Sequence, residues 1–161
     1  MSKALMYVLL VSGLLLAVAP ALDAQGNNAN FRAHLSSPDA VDSNGQGQAI
    51  FKLNNDGTSI QYKLIVANIE NVTMAHIHLA EVAGGNGPPV VWLYPAAPPP
   101  VLIEGRSDGV IAAGVITSAN LVGPLSGMTL SELVQAIDDG RTYVNVHTSA
   151  YPGGEIRGDI F

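Results

Sequence analysis

The chain has no cysteine, few charges and few basic residues: Lys and Arg together number 7 against 13 Asp and Glu. Without Cys there are no disulfides, no thiolate nucleophile and no thiolate metal ligand, so any transition-metal chemistry falls to imidazole, Met or carboxylate. A small exported domain without disulfides must be held by its core, with metal as a further aid. The formal net charge of −6, with no basic run anywhere, argues against nucleic acid and anionic membrane as partners. Serine is plentiful, yet no Gly-x-Ser-x-Gly motif or paired base marks a nucleophile, and no motif commits the chain to an enzyme.

Residues 1–24 read as a secretory signal peptide. Lys3 supplies the positive start, Ala4 to Ala19 is an almost unbroken apolar run, and Ala19-Pro20-Ala21 and Leu22-Asp23-Ala24 offer small-residue cleavage sites. The run is short for a transmembrane helix, which needs about 20 apolar residues. Cleavage after Ala24 leaves 137 of the 161 residues, a fitting size for one domain, and removes one charge of each sign. The expected location is secreted, extracellular or periplasmic, with no membrane span after cleavage. Residues 25–29 form a polar lead-in, and residues 30–161 the domain.

Within that domain, short β-like runs alternate with turn signals. Phe31 to Leu35 is a strand, and Ser36 to Gly47 a loop. Gln48 to Leu53 and Thr58 to Ile69 form a hairpin around Asn54-Asn55-Asp56-Gly57, residues that tolerate positive φ. Ile60, Tyr62, Leu64 and Val66 alternate with Gln61 and Lys63, as in a half-buried strand. Met74 to Leu79, Val90 to Tyr94, Gly109 to Thr117, Arg141 to His147 and Glu155 to Phe161 complete the set, with a stiff Pro-rich loop at Pro95 to Pro100. Only Thr129 to Asp139 has helical spacing. Leu130, Leu133, Val134 and Ile137 fall on one face, Thr129 and Glu132 form a capping box, and Gly140 sits at the C-cap. About eight strands and one short helix predict an all-β, antiparallel Greek-key sandwich or barrel.

Strand alternation also sorts the histidines. In Ala75-His76-Ile77-His78-Leu79 both imidazoles share one face, opposite Ala75, Ile77 and Leu79. In Tyr143-Val144-Asn145-Val146-His147 the same rule groups Tyr143, Asn145 and His147 away from Val144 and Val146. Glu155, Arg157 and Asp159 form the polar set of the last strand. If these strands are neighbours, His76, His78 and His147 meet on the outer sheet face, with Asn145, Glu155 and Arg157 as supporting residues. Three imidazoles with an open position suit copper or zinc rather than calcium or magnesium. A His-x-His pair alone is more often solvated or hydrogen-bonded surface, and it is the third histidine in matching alternation that points to a metal. His34 and Glu81 have no spacing that ties them to this set, and Asn71-Val72-Thr73 is a glycosylation acceptor only in a host with that machinery.

His76-Ile77-His78, Asn86-Gly87-Pro88, Leu133 through Gly140, Tyr143 through Thr148 and Gly154-Glu155-Ile156-Arg157-Gly158 resemble the signature of the chordin (CHRD) domain family. The resemblance spans roughly Asn30 to Phe161. It implies an immunoglobulin-like β-barrel, remotely similar to copper/zinc superoxide dismutase, and occurrence in extracellular chordin and exported microbial proteins. It implies no established activity. One departure is Pro38-Asp39-Ala40-Val41, where the family often shows Glu-Val-Pro-Pro. The dismutase likeness maps its copper-ligand pair onto His76 and His78, a later ligand onto His147 and an arginine beside the metal onto Arg157. No histidine stands where a metal-bridging ligand would fall, and the zinc ligands and the Cys pair are missing. The expected function is therefore an exported binding module with a copper-type or zinc site. The alternative is a metal-free structural or protein-interaction domain, and a dismutase-like enzyme ranks third.

Overall fold

The computed structural model describes residues 29–161, so the expected signal peptide lies outside the described residues, as does the lead-in apart from Ala29. The elements follow in the order β1 (Asn30–Ser36), β2 (Gln46–Leu53), β3 (Ile60–Leu79), β4 (Pro89–Tyr94), β5 (Ile103–Ile116), α1 (Leu130–Asp138), β6 (Thr142–Thr148) and β7 (Ile156–Asp159). All strand pairings are antiparallel. The path β2-β1-β7-β6-β3 closes on itself because β3 also pairs with β2, which makes an all-β barrel with one short helix. The expected fold class holds.

The 20-residue strand β3 organises the barrel. Its first half lies between β2 and β5, and its second half between β6 and β4. The sequence predicts two strands here, Thr58 to Ile69 and Met74 to Leu79, where the structure has one. The break is real, but it is a set of bulges rather than a turn. Inward-facing residues run Ile60, Leu64, Val66, then Ile69, Val72, Ala75 and Ile77, so the step of two becomes a step of three on three occasions. Register shifts occur in the same stretch, and Asn68 and Asn71 take left-handed φ of 56° and 54°. Their polar groups are matched: Asn68 N–H donates to Asp108 Oδ1 at 2.8 Å, and Gly105 N–H donates to Asn71 Oδ1 at 2.9 Å. An odd number of bulges reverses parity. His76 and His78, even-numbered like the inward Leu64 and Val66, therefore leave the core while Ala75 and Ile77 enter it.

The hairpin read at Asn54 to Gly57 is present, with Asn54 N–H donating to the Ser59 carbonyl at 2.9 Å and Gly57 at φ 71°. Helix α1 has the expected capping box, in which Thr129 N–H donates to Glu132 Oε2 at 2.7 Å, and Gly140 takes φ 66° just beyond its end. Leu130, Leu133, Ala136 and Ile137 are buried against the barrel. One core runs through the interior, from Phe31 and Phe51 to Val144, Val146 and Ile156. Fully burying each such side chain is worth about 1.5–3 kcal/mol, which is how a chain without disulfides sustains the fold. Among the described residues, no helix is long and apolar enough to cross a membrane.

Candidate metal centre

Strands β3 and β6 pair in the register His76↔Asn145 and His78↔Tyr143, with His147 opposite Met74. Antiparallel neighbours on one face stand close enough for long side chains to meet. The three imidazoles do meet. His76 Nδ1 lies 3.3 Å from His147 Nε2, and ring centroids are 5.6 Å apart for His76–His78 and 6.0 Å for His78–His147. Among the described residues, these three histidines form a group in which one ligand nitrogen from each lies within 4.8 Å of the others.

They share the face opposite the core, as alternation predicts, but that face is not open to solvent. His76, His78 and His147 keep only 3%, 8% and 6% of their accessible surface. The expectation of an exposed outer face is corrected here: the face is outside the barrel, yet it is roofed. Trp92 of β4, paired with His76, sets its ring edge-on at 4.2 Å. Tyr143 stacks on His78 at 4.8 Å with an interplanar angle of 13°. Two loops complete the roof. Pro152 in the β6–β7 loop accepts a hydrogen bond from His147 Nδ1 at 2.8 Å, and Gly87 in the β3–β4 loop accepts one from His78 Nδ1 at 2.9 Å.

Those carbonyls fix the tautomers. A carbonyl oxygen only accepts, so Nδ1 carries the proton in His78 and His147, and each Nε2 keeps its lone pair. With His147 Nε2 an acceptor, the proton between it and His76 belongs to His76 Nδ1, which leaves His76 Nε2 bare. His76 Nε2 and His78 Nε2 are buried without a partner. Buried lone pairs of this kind cost about 1–3 kcal/mol each. Burial, followed by the neighbouring imidazoles, pushes the His76 pKa down to about 3. Burial likewise lowers His78 and His147, against the opposing pull of their carbonyl partners. All three are thus neutral at pH 7, the form that binds a metal.

The supporting residues divide. Asn145 Nδ2 donates to the Gly153 carbonyl at 3.1 Å and so anchors the loop that carries Pro152. Arg157 sits with its Cζ 3.5 Å above the Tyr143 ring, and its NH1 and NH2 each reach 2.5 Å, to Asn86 Oδ1 and the Gly85 carbonyl. It pins the other loop. Glu155 does not extend the β7 alternation, since the strand begins at Ile156. Its carboxylate accepts from Ser43 Oγ at 2.6 Å and Thr148 Oγ1 at 2.7 Å, and Thr148 Oγ1 in turn accepts from Tyr151 N–H at 3.1 Å. It braces the β6–β7 loop from the other side and is not in the histidine group. His34 and Glu81 are exposed and stand apart from the group. Trp92 and the two carbonyls escaped the sequence reading. Trp92 is the single tryptophan of the chain and alternates along β4, but nothing in the sequence says that β4 lies beside His76.

The glycines of the signature have steric reasons. A Cβ at Gly87 would overlap the Leu79 carbonyl, and one at Gly154, which has φ 115°, would overlap the Asn145 side chain. Both loops need these close approaches to bring their carbonyls over the histidines. The family model of the CHRD domain matches residues 31–160, nearly all of the described structure. The chain belongs to the CHRD domain family. No curated protein and no solved structure matches the chain. Within this CHRD domain the matched span holds both halves of the site, the β3 pair and the β6 histidine with its roof.

Proposed function

We propose that this CHRD-domain protein is an exported module that holds one transition-metal ion, copper or zinc, through His76, His78 and His147. The observation that carries this reading is the 3.3 Å separation of His76 Nδ1 and His147 Nε2 within a neutral, roofed cluster. Two nitrogens bonded at about 2.0–2.1 Å to one tetrahedral ion stand about 3.3–3.4 Å apart, so the pair is already at ligand spacing. The Nδ1–H bonds to Gly87 and Pro152 supply the outer hydrogen bonds that metal-ligating histidines ordinarily make. A bound ion would also satisfy His78 Nε2, a buried lone pair that is otherwise orphaned. The export assignment rests on residues 1–24 and on the extracellular occurrence that the family resemblance implies. Titrating metal-free protein with copper and zinc tests the site. One-to-one, sub-micromolar binding that disappears in His76→Ala and His147→Ala supports it, and equal affinity in those variants overturns it.

A second reading is favoured by the Pro-rich loop. Residues 96–102 are all exposed, including Val101 and Leu102 at 49% and 48%. That apolar, projecting segment suits contact with an extracellular protein. Here the histidines would only tie strands together, and chelation would leave the melting temperature unchanged.

A further inference from the structure

We propose that the site prefers monovalent copper over Zn(II) and Cu(II), with the Arg157 charge as a determinant of that preference. This rests on the metal-binding reading above and adds the oxidation state. Three observations on charge and space carry it.

The donor set is neutral. The group consists of three imidazoles with no carboxylate, and Glu155 is committed to Ser43 and Thr148. A dication here would keep its full charge in a buried place. Desolvation cost rises with the square of the charge, so the monocation is favoured on that ground alone.

A formal charge close to the histidines has the wrong sign for a dication. The Arg157 guanidinium stacks on the same Tyr143 ring that stacks on His78. Asp159 offsets it only in part, at 3.6 Å with its side chain 57% exposed.

The site offers three protein donors beneath a roof that shuts out solvent. His76 Nε2 and His78 Nε2 have essentially no solvent-accessible surface, and Trp92, Tyr143 and the two carbonyl-bearing loops occupy the roof. Zinc with three protein ligands takes a water as its fourth, and Cu(II) seeks a tetragonal arrangement. Monovalent copper has a filled d-shell and is content with three nitrogens.

The test is competition under anaerobic conditions, with a chromophoric Cu(I) chelator for Cu(I) and separate chelators for Zn(II) and Cu(II). The expected result is Cu(I) bound at least about tenfold more tightly than either dication. Arg157→Gln should narrow that ratio by strengthening dication binding, while Arg157→Lys should preserve it. Equal or tighter binding of Zn(II) or Cu(II) overturns this inference and leaves the metal-binding reading standing. Binding of none of the three ions, or binding unaffected by His76→Ala, overturns both. Equal narrowing in Arg157→Gln and Arg157→Lys overturns the charge argument, because it places the effect in the contacts to Gly85 and Asn86.

Discussion

His76 Nδ1 and His147 Nε2 face each other at 3.3 Å across β3 and β6, and the Pro152 carbonyl on the far side of His147 dictates which of them holds the proton. In the metal-free protein that proton belongs to His76. A metal ion seated between the two nitrogens must replace it. Nitrogen chemical shifts of the histidine rings should therefore show His76 changing tautomer or losing its Nδ1 proton on metal binding, while His78 and His147 keep their Nδ1 protons. An unchanged His76 ring in the metal-loaded protein would show that this pair is not bridged by the ion.

The metal-free protein should lose stability as pH falls below 6.5. The folded pKa of His76 is depressed to about 3, and His78 and His147 are also lowered. Above pH 6.5 neither the folded nor the unfolded chain protonates these rings, so their contribution is fully present. Between pH 6.5 and about 3 the unfolded chain takes up a proton at His76 that the folded one refuses, at a cost on the order of 1 kcal/mol per pH unit, and His78 and His147 act in the same direction below pH 6.5. Urea unfolding with chelator present, in parallel on His76→Gln, measures this. The variant should show a shallower slope between pH 6.5 and 4, and an identical slope would refute the assignment.

Gly87→Ala should damage both fold and site. The added methyl meets the Leu79 carbonyl, and the strain displaces the Gly87 carbonyl that accepts from His78 at 2.9 Å and from the Tyr143 hydroxyl at 3.2 Å. Overpacking of this kind costs about 1–3 kcal/mol, and loss of an outer hydrogen bond to a ligand weakens metal affinity about 10–100-fold. Gly153→Ala is the control, since a Cβ there meets nothing within 4 Å. Thermal melts and a metal titration of both variants should separate them clearly.

Trp92 should report on the site. It is the only tryptophan, and its ring touches His76 with centroids 4.2 Å apart. Addition of one equivalent of copper should quench the intrinsic fluorescence, and His76→Ala should abolish the saturable part of that quenching. Quenching that stays linear in copper well past one equivalent would mean collision in solution rather than a bound ion.

Much of this architecture was legible in the residues. Alternation along His76-Ile77-His78 and Tyr143 through His147 needs only local geometry, so the shared parity of the three histidines came through. The hairpin at Asn54 to Gly57 and the capped helix are likewise written in local turn and cap chemistry. Long-range placement was not legible. Nothing near Trp92, Gly87 or Pro152 in sequence announces that these residues roof the histidines, so the site read as open. Glu155 was grouped with Arg157 by an alternation that starts one residue later. The continuity of β3 was hidden for a related reason: three bulges look like an ending when the partner strands that carry the chain across them are unknown.

Those bulges carry a consequence for how the chain tolerates changes in length. An exposed loop such as residues 96–102 accepts an added residue at little cost. The stretch between Val66 and Ala75 counts differently, because sidedness in a strand depends on whether the number of residues is odd or even. Removing or adding a single residue there would switch that count between odd and even. It would also turn His76 and His78 into the apolar interior and bring Ala75 and Ile77 out beneath Trp92. The centre thus depends on an arithmetic property of a segment that contains none of its ligands.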